Sequence, residues 1–178
     1  MTQHDHHSTK TLPRVALLTL GGTIAATPPR DGGPAKMELT AGDILAQLPA
    51  IGTVAELEVE TLSRIGSVDL TFATIAGLAK RIAELDAAGI DGVVVTQGTD
   101  TMEESAYLTD LLHASDLPVV FTGAMRHTGK PGADGPANLL AAIRVAASPV
   151  ARGTGVLLVS NDEIHLARHV RKAHATAL

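Results

Sequence analysis

Two threonines stand just behind glycines where apolar runs end, and hydroxyls presented in that way suggest acyl-transfer chemistry. The first run reads Leu17-Leu18-Thr19-Leu20-Gly21-Gly22-Thr23-Ile24-Ala25, and the second Val93-Val94-Val95-Thr96-Gln97-Gly98-Thr99-Asp100-Thr101-Met102-Glu103-Glu104. In an open parallel sheet, ligands bind just outside the carboxyl ends of the strands, so Thr23 and Thr99 are expected to face one crevice. The glycine beside each lets the backbone turn sharply and approach a substrate closely. A threonine hydroxyl is a weak nucleophile until a base takes its proton and donors steady the developing oxyanion. The backbone N–H groups of Gly22 and Thr23 are candidates for those donors. The plainer alternative is a Gly-Gly-Thr turn that merely ends a strand. A phosphate-binding loop would need GxGxxG or GxxxxGK[ST], and neither is present.

Other residues carry both a chemical and a structural reading. Thr101 and Glu104 have capping-box spacing, and Glu103 favours the same helix start. Asp100 is suited to hold a substrate ammonium, or simply to cap. Lys172 becomes a base if it loses solvent or sits near another cation; Arg168, Arg171 and nearby histidines supply positive charge. Its bland reading is a solvated basic segment. Ser67, in Gly66-Ser67-Val68-Asp69, either holds a carboxylate or is a loop serine ahead of a cap. His165 and His169 are four residues apart, but the HExxH order is absent and no metal is expected.

Composition narrows the field. The 178 residues fit one ordinary domain, 45% hydrophobic but only 2% aromatic, so the core is built from Ala, Val, Leu and Ile. A formal charge of −5 and no long basic stretch argue against nucleic acid. The absence of cysteine excludes disulfides, thiol catalysis and Cys-ligated zinc. No apolar run reaches the roughly 18 residues of a spanning helix, so no membrane partner is expected. The start of the chain lacks the apolar segment of a signal peptide, and a cytoplasmic location is expected. Residues 1–12 are expected as a disordered, polar, His-rich tail, and residues 13–178 as one α/β domain.

The elements that position these residues alternate. Arg14–Leu20, Glu56–Leu62, Gly92–Thr96, Leu117–Thr122 and Gly155–Ser160 read as strands, Glu56–Leu62 as a half-exposed or edge one. Residues 27–36 hold three prolines and two glycines and read as a loop. Helices are expected near Thr40–Pro49, from Phe72 to Leu85, from Thr101 with Leu108, Leu111 and Leu112 buried, and from Asp134 as cap with Leu139, Leu140 and Ile143 buried. Strand and helix in alternation predict an open, mostly parallel sheet flanked by helices.

Taken together, Thr19–Ala25, Gln97–Glu104, Thr122-Gly123-Ala124-Met125-Arg126, Ala133-Asp134-Gly135-Pro136-Ala137-Asn138-Leu139 and Arg171-Lys172 resemble the bacterial L-asparaginase family. Order and spacing agree from about Arg14 onward. The resemblance implies hydrolysis of a side-chain amide, L-asparagine giving L-aspartate and ammonia. It implies Thr23 as the nucleophile of an acyl-enzyme, and a second catalytic group of Thr99, Asp100 and Lys172. Asp100 would also grip the substrate α-ammonium and Ser67 its α-carboxylate, with Gly22, Gly98 and Ala124 completing the substrate-binding set. No metal or organic cofactor is implied, the partner is a small amino acid, and the family forms homo-oligomers.

Three departures accompany the resemblance. No tyrosine lies between Thr27 and Thr40, where studied members carry a catalytic one; Tyr107 is the chain's only tyrosine. Val68 stands where a glutamine is common. The family's smaller C-terminal domain is expected to be missing, and its oligomer contacts with it. Alternatives are therefore a non-catalytic remnant that binds Asn or Asp, a glutamine-directed amidase, or an amidase serving transamidation of charged tRNA. A nucleotide-binding α/β domain is a further alternative without a phosphate motif.

Overall fold

Parallel strands covered on both faces are built from unbroken apolar runs, and Val15-Ala16-Leu17-Leu18 is one: none of the four is more than 1% exposed. The computed structural model of the chain describes residues 11–27, 36–37, 42, 46 and 49–175. The strands are β1 (Arg14–Thr19), β2 (Ala26–Thr27), β3 (Lys36–Met37), β4 (Glu56–Thr61), β5 (Gly92–Thr96), β6 (Val119–Thr122), β7 (Val156–Ser160) and β8 (Glu163–Leu166). Six of them form one sheet in the order β4-β1-β5-β6-β7-β8, with β2 and β3 paired separately. All neighbours in the large sheet are parallel except β7 and β8. This is the open, mostly parallel sheet that alternation predicts. The chain first moves outward from β1 to β4 and then returns past it to β5, so the sheet reverses direction between β1 and β5. Open α/β sheets bind ligands at the carboxyl ends of strands flanking such a switch. Both threonine loops leave from there.

Helices α1 (Phe72–Ala87) and α2 (Met102–Leu112) cover one face, and α3 (Gly135–Ala146) covers the other. In α1, Ile75, Leu78, Ile82 and Leu85 are buried at the expected spacing, and Thr71 caps the helix by accepting from Thr74 N at 3.2 Å. Phe72 departs from expectation. It is 84% exposed, because the stripe meets the sheet only from Ile75 onward. In α2 the buried stripe is Met102, Ser105, Ala106 and Thr109, whereas Leu111 and Leu112 are exposed. Small side chains let this helix lie close to the sheet. Their hydroxyls are met internally, Thr109 Oγ1 donating to Ser105 O at 2.8 Å and Ser105 Oγ accepting from Gln97 Nε2 at 3.2 Å.

Two expected caps serve neighbouring loops instead. Thr101 makes no capping bond with Glu104's turn; its hydroxyl donates to Ser67 O at 2.8 Å. Asp134 precedes α3 in helical conformation without capping it. Its carboxylate accepts from Met125 N at 2.9 Å, Arg126 N at 2.8 Å and Asn138 Nδ2 at 3.1 Å. Asn138 also donates to Gly123 O at 3.0 Å, so the loop after β6 is held from below by the first turn of α3. Buried backbone groups in irregular loops need such partners.

The expected helix near Thr40–Pro49 falls almost wholly outside the described residues, as do residues 1–10. Past β7 the sequence offers no obvious closing element, yet the chain turns back as a two-residue hairpin. Asn161 and Asp162 take φ of 53° and 63°, the left-handed pair such a turn requires. From β8 the backbone continues through buried Ala167 to Lys172.

Three stability measurements check this packing. Leu78→Ala is expected to lower unfolding free energy by about 2–5 kcal/mol, and Phe72→Ala by less than about 0.5 kcal/mol, in denaturant titration. Asp134→Ala, which leaves backbone N–H groups of the loop after β6 unmet, is expected to cost about 2–3 kcal/mol; a cost near zero would show that the carboxylate does not hold that loop.

Candidate active site

The two loops meet without side chains between them. Gly22 has φ +89°, and a Cβ there would stand 2.5 Å from Gln97 C and Gly98 Cα. A Cβ on Gly98 would in turn stand 2.8 Å from Ser67 Oγ. Loop β1 and loop β5 are thus stacked backbone against backbone at Gly22, in a geometry only glycine allows there, and Gly98 lies against the Ser67 side chain of the segment after β4. The strand ladder prolongs this contact: Leu20 N donates to Thr96 O at 2.8 Å, and Ile65 N to Leu20 O at 3.2 Å.

Thr23 opens a single 3-10 turn, Thr23–Ala25, and is half-buried. The next side chain, Ile24, is 1% exposed and packs with Leu139 and Ala142, fixing the turn that carries the hydroxyl. Thr99 opens a second turn, Thr99–Thr101, continuous with α2. Lys172 reaches across from the chain after β8. Its Nζ donates to Thr99 Oγ1 at 2.9 Å and to Asp100 Oδ1 at 2.6 Å. The charge in contact with Lys172 is therefore a carboxylate, not the cations that sequence proximity suggested. Arg168 instead pairs with Asp110 at 3.0 Å. Thr99 Oγ1 has its own donor direction, met here by Met125 Sδ at 3.4 Å.

Gly22, Thr23, Ser67, Gly98, Thr99, Asp100, Ala124 and Lys172 all line one crevice of about 420 Å³. All the residues singled out for catalysis or substrate binding are thereby brought together. Their surroundings are not uniform. Ser67 and Ala124 are buried, and Lys172 keeps 21% of its side chain exposed against 65% for Asp100. An adjoining cavity of about 560 Å³ shares Thr99, Met125 and Lys172 and runs toward the β7–β8 hairpin.

Some contributors were not foreseen. Gln97, fully buried, donates through Nε2 to Gly98 O at 3.3 Å as well as to Ser105. Met125 and His127 line the crevice from the loop after β6. Met125 belongs to the conspicuous Thr122–Arg126 run, but nothing in residue type or spacing marks His127. His165 lies in β8 and pairs with Glu163 at 3.1 Å, so it shares no helix face with His169. Among the described residues no cluster of His, Asp and Glu could hold a metal ion, and no helix is long and apolar enough to cross a membrane.

Comparison with known proteins gives this arrangement a lineage. Residues 14–178 match the family model described as asparaginase, N-terminal. The chain is 40% identical over 173 residues to L-asparaginase 2 of Bacillus subtilis, covering 94% of this chain and 46% of that protein. It is 38% identical to the glutaminase-asparaginase of Pseudomonas fluorescens, covering 92% of this chain and 47% of that one. A component of the glutamyl-tRNA(Gln) amidotransferase of Methanosarcina acetivorans is 37% identical, with 94% and 40% covered. A crystal structure of a probable cytoplasmic L-asparaginase from Campylobacter jejuni superposes with a TM-score of 0.85 at 39% identity, covering 93% of this chain and 49% of that one. The chain spans about half the length of the curated relatives it matches. It belongs to the asparaginase family.

Proposed function

We propose that this chain carries the reaction centre of an amidohydrolase that converts L-asparagine to L-aspartate and ammonia, with Thr23 as nucleophile. The observation that supports it most is the contact of Lys172 Nζ with both Thr99 Oγ1 and Asp100 Oδ1, in the crevice that Thr23 lines. In this reading Thr23 Oγ1 attacks the side-chain amide carbon. The oxyanion is met by backbone N–H groups of the Gly22–Thr23 turn. The C–N bond then breaks, and the proton lost by Thr23 leaves with ammonia. Water attacks the resulting aspartyl ester, frees aspartate and restores the Thr23 hydroxyl. Thr99, Asp100 and Lys172 act as the proton-handling group in both halves, since a lysine bonded to a hydroxyl can pass a proton through it. Ser67 and Asp100 hold the substrate's α-carboxylate and α-ammonium, and Ala124 lies beside the amide.

Glutamine is the neighbouring substrate choice, separated from asparagine by one methylene, which is worth only about 1–3 kcal/mol of discrimination. A second reading, binding of Asn or Asp without turnover, is favoured by Val68. It is 70% exposed and offers no polar group beside Ser67.

Ammonia release from L-asparagine separates these readings. Thr23→Ala is expected to lower kcat by on the order of 10³-fold or more, and Lys172→Met by about 10²–10⁴-fold, with folding retained by circular dichroism. Release by Thr23→Ala within tenfold of the unaltered chain would contradict the assignment of the nucleophile. Asn binding without any release would favour the second reading.

A further inference from the structure

Glu103 reads in the sequence as a negative charge that suits a helix start. In the fold its carboxylate has a more specific partner: Glu103 Oε2 accepts a hydrogen bond from the backbone N–H of Lys172, 69 residues away. That partner matters because little else holds Lys172. Residues 167–175 form no helix or strand, and Lys172 lines both the 420 Å³ crevice and the adjoining 560 Å³ cavity. Upstream tethers stop short of it. Ala167 N donates to Val156 O and His169 N to Leu166 O, each at 2.9 Å, and Arg168 pairs with Asp110. Among the described residues, Glu103 is the hydrogen-bond partner of the Lys172 backbone.

We infer that Glu103 is a positioning residue for Lys172. Its carboxylate anchors the lysine's main chain so that Nζ meets Thr99 Oγ1 and Asp100 Oδ1. One rigid element supplies every partner. The Thr99–Thr101 turn runs directly into α2, so Thr99, Asp100 and Glu103 move as a unit. Lys172 is thus held at both ends, its N–H by Glu103 and its Nζ by the turn. Releasing the main-chain end lets the long, flexible side chain leave the bonding geometry, and small misplacements of a catalytic group are costly in rate. This inference rests on the proposed reaction for its kinetic consequence, but not for the anchor itself.

Three variants separate an anchor from a helix-start charge. Glu103→Asp keeps the charge but shortens the reach by one methylene; Glu103→Gln keeps the reach and an accepting oxygen but loses the charge; Glu103→Ala removes both. Two readouts are needed, kinetics of ammonia release from L-asparagine and residue-resolved amide hydrogen exchange by NMR. The expected result is a kcat lowered about 10–100-fold in the Ala and Asp variants, KM within about threefold, and the Gln variant within about threefold of the unaltered chain. The Lys172 amide should exchange about tenfold faster or more in the Ala and Asp variants, with α2 amides unchanged. Rescue by Asp and not by Gln would overturn the anchor in favour of the helix-start charge. A Lys172 amide that exchanges equally fast in the unaltered chain and the Ala variant would overturn it as well. If the unaltered chain releases no ammonia, the proposed reaction has failed, and the exchange measurement alone decides on Glu103.

Discussion

The contact of Gly22 with Gly98, and of Gly98 with Ser67, is the constraint on which the rest of the site depends. Three segments that leave different strands come together: backbone touches backbone where Gly22 meets Gly98 and where Gly21 meets Ile65, and Gly98 lies against the Ser67 side chain. A methyl group on Gly22 would drive its two loops apart, and one on Gly98 would displace the Ser67 side chain. The separation matters because Thr23, Thr99 and Ser67 are each attached to one of these segments. Two small residues therefore decide whether hydroxyls from distant parts of the chain share one crevice. The sheet sets up this meeting. β1 and β5 are adjacent and parallel, and their ladder extends one residue further through Leu20 N and Thr96 O.

Backbone that runs irregularly at the ends of strands leaves donors and acceptors without ladder partners, and here side chains from helix starts meet them. Thr101 reaches Ser67 O, Asp134 reaches Met125 N and Arg126 N, and Asn138 reaches Gly123 O. Thr101 and Asp134 sit where caps would sit, and Asn138 lies one turn further on. The helices lose a local bond, and the loops gain a partner that is itself anchored in the core. Burial adds to the value of these bonds, since a polar group buried without a partner costs more than a single exposed cap contributes. Asp110 does similar work on the far side of α2, accepting from Val156 N at 2.7 Å while pairing with Arg168.

What was legible in the sequence follows from this division. The five parallel strands and a crevice shared by the Thr23 and Thr99 loops could be read, because apolar runs and glycine-bearing loops report local and topological constraints directly. The placing of Ser67, Asp100 and Lys172 with them came from the family resemblance, since residue type alone left Lys172 a solvated base and Ser67 a loop serine. The buried face of α2 could not be read. Counting apolar residues selects Leu111 and Leu112, whereas close approach to the sheet selects Ser105, Ala106 and Thr109, whose polar atoms are satisfied only by the fold. The same limit hid the loop-holding roles of Thr101 and Asp134, since a cap and a long-range clamp use identical residue types. It also hid the charge that meets Lys172. Arg168 and Arg171 are its neighbours along the chain, but Asp100 is its partner in space. The β7–β8 hairpin is not legible locally, because Asn161-Asp162 marks a turn only when the residues on both sides are recognised as strands.

In the proposed reaction the glycine contact delivers Thr23 to the side-chain amide of asparagine as a covalent nucleophile. The most direct measurement is peptide mapping by mass spectrometry of the chain quenched in acid during exposure to L-asparagine. An aspartyl ester on the peptide containing Thr23, absent from the chain quenched without L-asparagine, is the expected result. Ammonia release with no adduct on Thr23, or with the ester on Thr99 instead, would contradict it.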